Sequence, residues 1–192
     1  MSGKRFNVAV AGATGAVGEV FLQILAERKF PIRNLRLLAS ERSVGKKLKF
    51  AGHEFPVELL SKDAFKGIDI ALFSAGASRS KEFAAAAWAS GAVVVDNSSA
   101  FRMEPDIPLV VPEINPGAIG QFKQRGIVAN PNCTTIIAIM PLKPLHDFGT
   151  LKRVVASSYQ ATSWSGAKAM AELVAQTKAY AKGDPLEVSV FK

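Results

Sequence analysis

Along the first hundred residues, apolar positions switch repeatedly between two periods. Phe6-Asn7-Val8-Ala9-Val10-Ala11 alternates and is rich in β-formers, which predicts a first strand. Val17, Val20, Phe21, Ile24 and Leu25 then recur at helical spacing, so a helix follows at once. Leu35 to Ala39 predicts a second strand, and Lys46 to Leu59, broken at Ala51-Gly52, a hairpin-like excursion. Ile68 to Phe73 is continuously apolar, as in a parallel strand buried on both faces. Arg79 to Ala89 predicts a helix, and Ala92 to Asp96 a further strand. Strands alternating with helices in this way specify an α/β fold, a Rossmann-type doubly wound parallel sheet.

The grammar restarts at Ile127. A short strand Ile127-Val128-Ala129 precedes a helix from Cys133 to about His146, then a long strand from Val154 to Ala161. A helix from Gly166 to about Lys182 follows, and Leu186 to Phe191 reads as a strand beginning. The expected division is a dinucleotide-binding domain over 1–130 and the beginning of a second, α+β domain over 131–192, incomplete at its end.

Gly12-Ala13-Thr14-Gly15-Ala16-Val17-Gly18 lies between the first strand and the first helix. Glycines there let the backbone turn tightly and approach a pyrophosphate, and the last lets helix and sheet pack. N–H groups at the helix start favour the negative charge. The spacing is a G-x-x-G-x-x-G variant, made specific by its place after a strand and before an amphipathic helix. The second strand ends in Ala39-Ser40-Glu41-Arg42-Ser43. An arginine flanked by serines suits the 2′-phosphate of NADP, because a guanidinium donates paired hydrogen bonds to phosphate oxygens. Glu41 leaves NAD open, since an acid at this place holds ribose hydroxyls.

Asn130-Pro131-Asn132-Cys133-Thr134-Thr135 places the single cysteine at the first turn of a predicted helix, with Asn132 as its N-cap. Backbone dipoles at a helix start favour a thiolate. An activated thiol beside a nicotinamide points to acyl chemistry: attack on a carbonyl or acyl phosphate, a thioester, then hydride transfer. Such chemistry calls for an acid–base group, normally histidine. His146 lies on the same predicted helix as Cys133, on the order of 20 Å away at 1.5 Å per residue. His53 falls in the hairpin excursion. Neither is placed to serve Cys133.

Bulk properties narrow the classes further. The apolar fraction, 48%, is ample for a buried core. No run approaches the roughly 20 apolar residues of a bilayer span. The basic N-terminus followed by an apolar run imitates a secretory signal, but Gly12, Gly15 and Gly18 interrupt the run and an amphipathic helix follows. One cysteine excludes an internal disulfide, so a cytoplasmic setting is expected. The net charge of +8 is scattered over the chain without aromatic interleaving, which fits a solvated surface and phosphorylated small molecules rather than nucleic acid or a membrane.

With these pieces placed, the sequence resembles the aspartate-semialdehyde dehydrogenases. The resemblance rests on Gly12–Gly18, Ser40–Gly45, Asp96–Met103, Val111-Pro112-Glu113-Ile114-Asn115, Asn130–Thr135 and Ser158-Tyr159-Gln160-Ala161. N-acetyl-γ-glutamyl-phosphate reductases share the glycine loop and the cysteine after Asn-Pro, but typically carry glycine where this chain has Asn132. The resemblance implies that Thr14 to Val17 hold the pyrophosphate and that Arg42 with Ser43 holds the 2′-phosphate. It places Asn97 near the nicotinamide, where Ser163 also belongs, and Arg102 on the phosphate of β-aspartyl phosphate. Cys133 would carry the acyl thioester, and Gln160 would position the substrate. The implied reaction is NADPH-dependent reductive dephosphorylation of β-aspartyl phosphate to aspartate semialdehyde, feeding lysine, threonine and methionine synthesis. A homodimer and no metal are implied for the full-length family member.

Two departures accompany the resemblance. Family members are nearly twice as long, and their catalytic histidine and carboxylate-binding arginine belong to the second half. A polypeptide ending at Lys192 is therefore expected to show no meaningful turnover and to act, if at all, as a cofactor-binding or dimerising module. Trp164 also stands where the family usually has a small residue, so its indole either obstructs the nicotinamide pocket or turns outward.

Overall fold

The computed structural model describes residues 3–191. Two compact units divide between Lys152 and Arg153.

The first unit is built on a seven-stranded sheet. In chain order its elements are β1 (Phe6–Ala11), α1 (Ala16–Glu27), β2 (Ile32–Ala39), β3 (Lys47–Phe50), β4 (His53–Leu59), β5 (Ile70–Phe73), α2 (Ala77–Ala89), β6 (Val93–Asp96), β7 (Ile127–Ala129) and α3 (Cys133–Gly149). The strands lie in the order β3-β4-β2-β1-β5-β6-β7. Every pairing is parallel except β3 with β4. Lys46–Leu59 does form the expected hairpin, and its second arm also joins the main sheet, Leu37 pairing with Val57 and Ala39 with Leu59. Composition could not show this, because the ladder partner lies far away in sequence.

Side-chain alternation along β1 explains the two cores. Val8 and Val10 point to one face, where they join Leu35, Leu37 and Val57 beneath Leu22 of α1. Ala9 and Ala11 point to the other, where Leu38, Phe65 and Phe73 meet Ala84 and Ala87 of α2. Helices on both faces are what a parallel sheet needs, since neither surface can face water. Phe65 and Phe73 stack with ring centroids 5.6 Å apart. Strand order reverses between β1 and β5, and such a switch point opens a crevice at the carboxyl ends of the strands.

The second unit consists of an extended segment, a short 3-10 turn at Thr162–Ser165 and α4 (Ala167–Lys182). Gly183 ends α4 in the left-handed conformation, φ +75°, as glycine readily does. Two expectations fail here. Val154–Ala161 is extended and exposed but is not a strand, and neither is Leu186–Phe191. A strand exists only through its ladder, and among the described residues neither segment belongs to the sheet. The second segment spends its backbone donors elsewhere. The N–H groups of Ser189, Val190 and Phe191 and the Ser189 hydroxyl all converge on the Glu172 carboxylate.

No helix among the described residues is long and apolar enough to cross a membrane. Among the same residues, no group of three or more His, Cys, Asp or Glu is placed to hold a metal.

Candidate functional site: a dinucleotide cleft and a cysteine at a helix start

The glycine loop sits at the switch point. Gly12 follows β1 with φ +88°, and a Cβ there would lie 2.4 Å from the Ser74 carbonyl oxygen at the end of β5. A Cβ on Gly18 would lie 2.3 Å from the Gly12 carbonyl oxygen and 2.7 Å from Ala13 Cα. Both positions therefore exclude any side chain, for the two reasons the motif predicts: close backbone approach and helix–loop packing. Gly15 caps α1 without a side-chain hydrogen bond. The first N–H groups of the helix have no intrahelical acceptor, and Ala16 and Val17 are exposed there.

Two adjoining cavities extend from this loop. One, about 190 Å³, is lined by Gly12, Thr14, Gly15, Ser40, Ser74 and Arg79, among others. The other, about 380 Å³, is lined by Ser40, Glu41, Arg42, Arg79 and Glu82, among others. Thr14 Oγ1 donates to Ser43 Oγ at 3.2 Å, so the pyrophosphate loop and the 3-10 turn Glu41–Ser43 are tied to each other. The cradle that a Cβ would fill, the open helix start and the Ser40–Arg42 pocket together fit a dinucleotide. Arg79, one turn into α2, lines both cavities and was not predicted. Its position could not be read from the sequence, because only the α2 docking angle brings it to the second strand's end.

The loop after β6 makes a second cluster. Arg102 Nε donates to the Asn130 carbonyl oxygen at 2.8 Å, and one terminal nitrogen donates to the Asn97 carbonyl oxygen at 3.2 Å. Arg102 is thus no ordinary surface arginine. Its guanidinium bridges the loop after β6 to the loop after β7, three residues before Cys133. Asn97 and Asn130 are themselves pinned through their backbone N–H groups to Phe73 and Asp96.

Cys133 opens α3 and is exposed. Asn132 caps the helix as predicted, its Oδ1 accepting from the Thr134 N–H at 2.9 Å. His146 stands on the same helix near its far end, and His53 opens β4, so neither approaches the start of α3 as a base would. Gln160 and Ser163 belong to the second unit, Gln160 in its extended segment and Ser163 in the short 3-10 turn, where the Trp164 side chain is 61% exposed.

Residues 7–122 match the family described as semialdehyde dehydrogenase, NAD binding domain, and residues 142–192 match semialdehyde dehydrogenase, dimerisation domain. The aspartate-semialdehyde dehydrogenase of Aquifex aeolicus is 57% identical over 179 residues, 93% of this chain and 53% of that protein. That of Legionella pneumophila is 50% identical over 98% of this chain and 54% of its own length. The crystal structure of aspartate semialdehyde dehydrogenase II from Vibrio cholerae complexed with ASA superposes with a TM-score of 0.92 at 46% identity, covering 98% of this chain and 56% of that one. A Candida albicans aspartate semialdehyde dehydrogenase with NADP gives a TM-score of 0.59 at 27% identity, covering 77% of this chain and 48% of that one. The chain spans about half the length of these curated relatives. On the glycine cradle, the doubly wound sheet and these matches, the chain belongs to the semialdehyde dehydrogenase family, with an NAD(P)-binding domain followed by the start of a dimerisation domain, and its resemblance is to the aspartate-semialdehyde dehydrogenases.

Proposed function

We propose that this chain carries the cofactor-binding and acylation parts of an NADP-dependent aspartate-semialdehyde dehydrogenase. The observation that carries the reading is the Arg102 bridge, which sets a guanidinium between the Asn97 loop and the segment that leads to Cys133. In this reading residues 1–130 form the dinucleotide-binding domain and 131–192 begin the catalytic and dimerisation domain. Asn132 in place of glycine, together with the similarity to aspartate-semialdehyde dehydrogenases, favours β-aspartyl phosphate over N-acetyl-γ-glutamyl phosphate.

The residues divide the work as follows. Thr14 to Val17 and the open N–H groups of α1 hold the pyrophosphate, while Ser40, Arg42 and Ser43 hold the 2′-phosphate. Arg102 binds the acyl phosphate, whose charge suits the edge of the guanidinium not used by carbonyl groups. The Cys133 thiolate attacks the acyl carbon, a thioester forms, and inorganic phosphate leaves. When bound in that cleft, a dihydronicotinamide would supply the hydride for reduction of the thioester. Asn97 borders the nicotinamide; for Ser163 and Gln160 the roles toward cofactor and acyl group are those the resemblance implies. The exposed apolar positions Val155 and Tyr159 on the second unit support a homodimer, as the matched dimerisation family does. The single thiol and the small-molecule chemistry suit a reducing cytoplasm.

The test separates acylation from turnover. Mixing the chain with β-aspartyl phosphate should give one equivalent of inorganic phosphate and an aspartyl adduct on Cys133 by mass spectrometry, both absent in Cys133→Ala. An unmodified Cys133 under these conditions would refute the reading. A steady-state assay with aspartate semialdehyde, NADP and phosphate should show far less activity than acylation alone would suggest, since no histidine stands near the start of α3.

A further inference from the structure

The side chain beneath the Arg102 cluster is a carboxylate. Asp96 ends β6 with no solvent exposure. None of the ion pairs among the described residues involves it. Ser80 Oγ, from the first turn of α2, donates to Asp96 Oδ1 at 2.5 Å, and Ser98 Oγ donates to Oδ2 at 2.7 Å. A polar group buried this deeply is costly unless it is hydrogen-bonded, and an apolar residue would fill the same space at lower cost. Two short hydroxyl donors are what make the carboxylate tolerable.

The arrangement fixes a direction. The Ser98 hydroxyl donates to Asp96 Oδ2, so its one proton is spent there. Its lone pairs then face the Ala100 N–H, which donates to Ser98 Oγ at 3.1 Å. That bond closes the turn leading through buried Phe101 to Arg102. The Asp96 carbonyl oxygen meanwhile accepts from the Asn130 N–H at 2.8 Å, and Asn130 in turn accepts from Arg102 Nε. The ring Asp96–Ser98–Ala100–Arg102–Asn130 therefore returns to its starting residue.

We propose that Asp96, acting through Ser98, is a positioning residue that aims the Arg102 guanidinium at the substrate's phosphate. Part of this rests on the proposed role of Arg102 as the phosphate ligand. Asp96 touches no reacting atom in this scheme. It acts by dictating which way the Ser98 hydroxyl points and hence how tightly the 98–102 turn closes.

The experiment uses the whole chain with Arg102 observed through its Nε–H signal by nuclear magnetic resonance, in native protein and in Ser98→Ala, Ser98→Thr, Asp96→Asn and Arg102→Ala. Losing the Ser98 hydroxyl should speed hydrogen exchange at Arg102 Nε–H and weaken inorganic phosphate binding by about tenfold, the low end of the loss for one hydrogen bond to a charged group. Ser98→Thr, which keeps the hydroxyl, should restore both, and NADPH affinity should stay unchanged throughout. Asp96→Asn should behave as Ser98→Ala does; if it fails to fold, the serine pair decides. Unaltered exchange at Arg102 in Ser98→Ala overturns the positioning role, as does a parallel loss of NADPH affinity, which marks general loosening. If Arg102→Ala binds phosphate as well as the native chain while the exchange result stands, the phosphate reading falls and the aiming of Arg102 does not.

Discussion

Thr14 Oγ1 lies 3.2 Å from Ser43 Oγ and donates to it. These residues stand 29 positions apart, one in the glycine loop and one in the turn after β2, and the bond joins the two ends of the proposed cofactor cleft. A dinucleotide whose pyrophosphate meets Thr14 therefore brings its adenosine 2′ position toward a turn already tied to the first loop. Arg42 is exposed beside buried Ser43 in that turn.

Cofactor choice gives the first prediction. In Arg42→Ala the 2′-phosphate loses a charge-assisted partner, so NADPH affinity should fall about tenfold, the low end for a bond to a charged group at an exposed site. NADH affinity should change little. Fluorescence titration of both cofactors measures the ratio. Equal losses for the two would mean that Arg42 supports the turn rather than reads the phosphate. Arg79, which lines both cavities, should compensate in part, leaving a residual NADPH preference.

The glycine loop yields a stability prediction. In Gly18→Ala the new methyl would meet the Gly12 carbonyl oxygen at 2.3 Å and Ala13 Cα at 2.7 Å, both rigid backbone. Overpacking of this kind costs about 3 kcal/mol, which lowers the melting temperature by roughly 6–12 °C in a domain of this size. Gly117→Ala is the control, since nothing lies within 4 Å of its Cβ position. It should change stability by no more than about 0.5 kcal/mol. Similar melting curves for the two variants would show that the loop relaxes freely.

How much of this was legible beforehand divides along the range of the interactions. The β1–α1–β2 unit, the buried strands β5 and β6 and the cap at Asn132 all rest on neighbours within a few residues, and periodicity exposes such patterns. The glycine loop was legible for the same reason. The pairing of Leu37 with Val57, the carbonyl grip on Arg102 and the approach of Arg79 depend on contacts between distant segments, which composition does not encode. Val154–Ala161 shows the opposite failure. Its Val154, Val155 and Tyr159 suit a strand, but a strand needs a neighbour, and its conformation follows from the pairing rather than from composition alone.

The cysteine offers a third test. Asn132→Ala removes the cap that Thr134 N–H uses and should cost the helix about 1 kcal/mol. Fraying of the first turn weakens the aligned peptide dipoles at Cys133, an effect worth roughly two- to fivefold in its rate of alkylation. Alkylation of Cys133 by iodoacetamide should slow by that factor in folded protein and become identical in both chains in strong denaturant. Equal rates in the folded state would argue that the helix start contributes nothing to the thiol's reactivity.

Glu172 gives the pH dependence of the second unit. The hydrogen bond from the Ser189 side chain, the largest influence, outweighs the raising effect of burial, the second largest, and with backbone bonds from Val190, Ser189 and Phe191 holds the carboxyl below the ordinary glutamate range. A group whose value is depressed in the folded state lends stability above its unfolded value, near 4.5, and withdraws it as pH falls through the lower folded value. The segment 189–191 should therefore stay docked on α4 at neutral pH and loosen only below pH 4.5, once the carboxylate takes up a proton and no longer accepts all the donors that surround it. Amide exchange at Val190 should accelerate over that acidic range beyond its intrinsic pH dependence, while exchange in β1 and β5 stays slow. In Glu172→Gln the same amides should exchange quickly at pH 7 and lose the acid-dependent step. If the native and Gln chains protect Val190 equally at pH 7, the carboxylate is not what holds the segment.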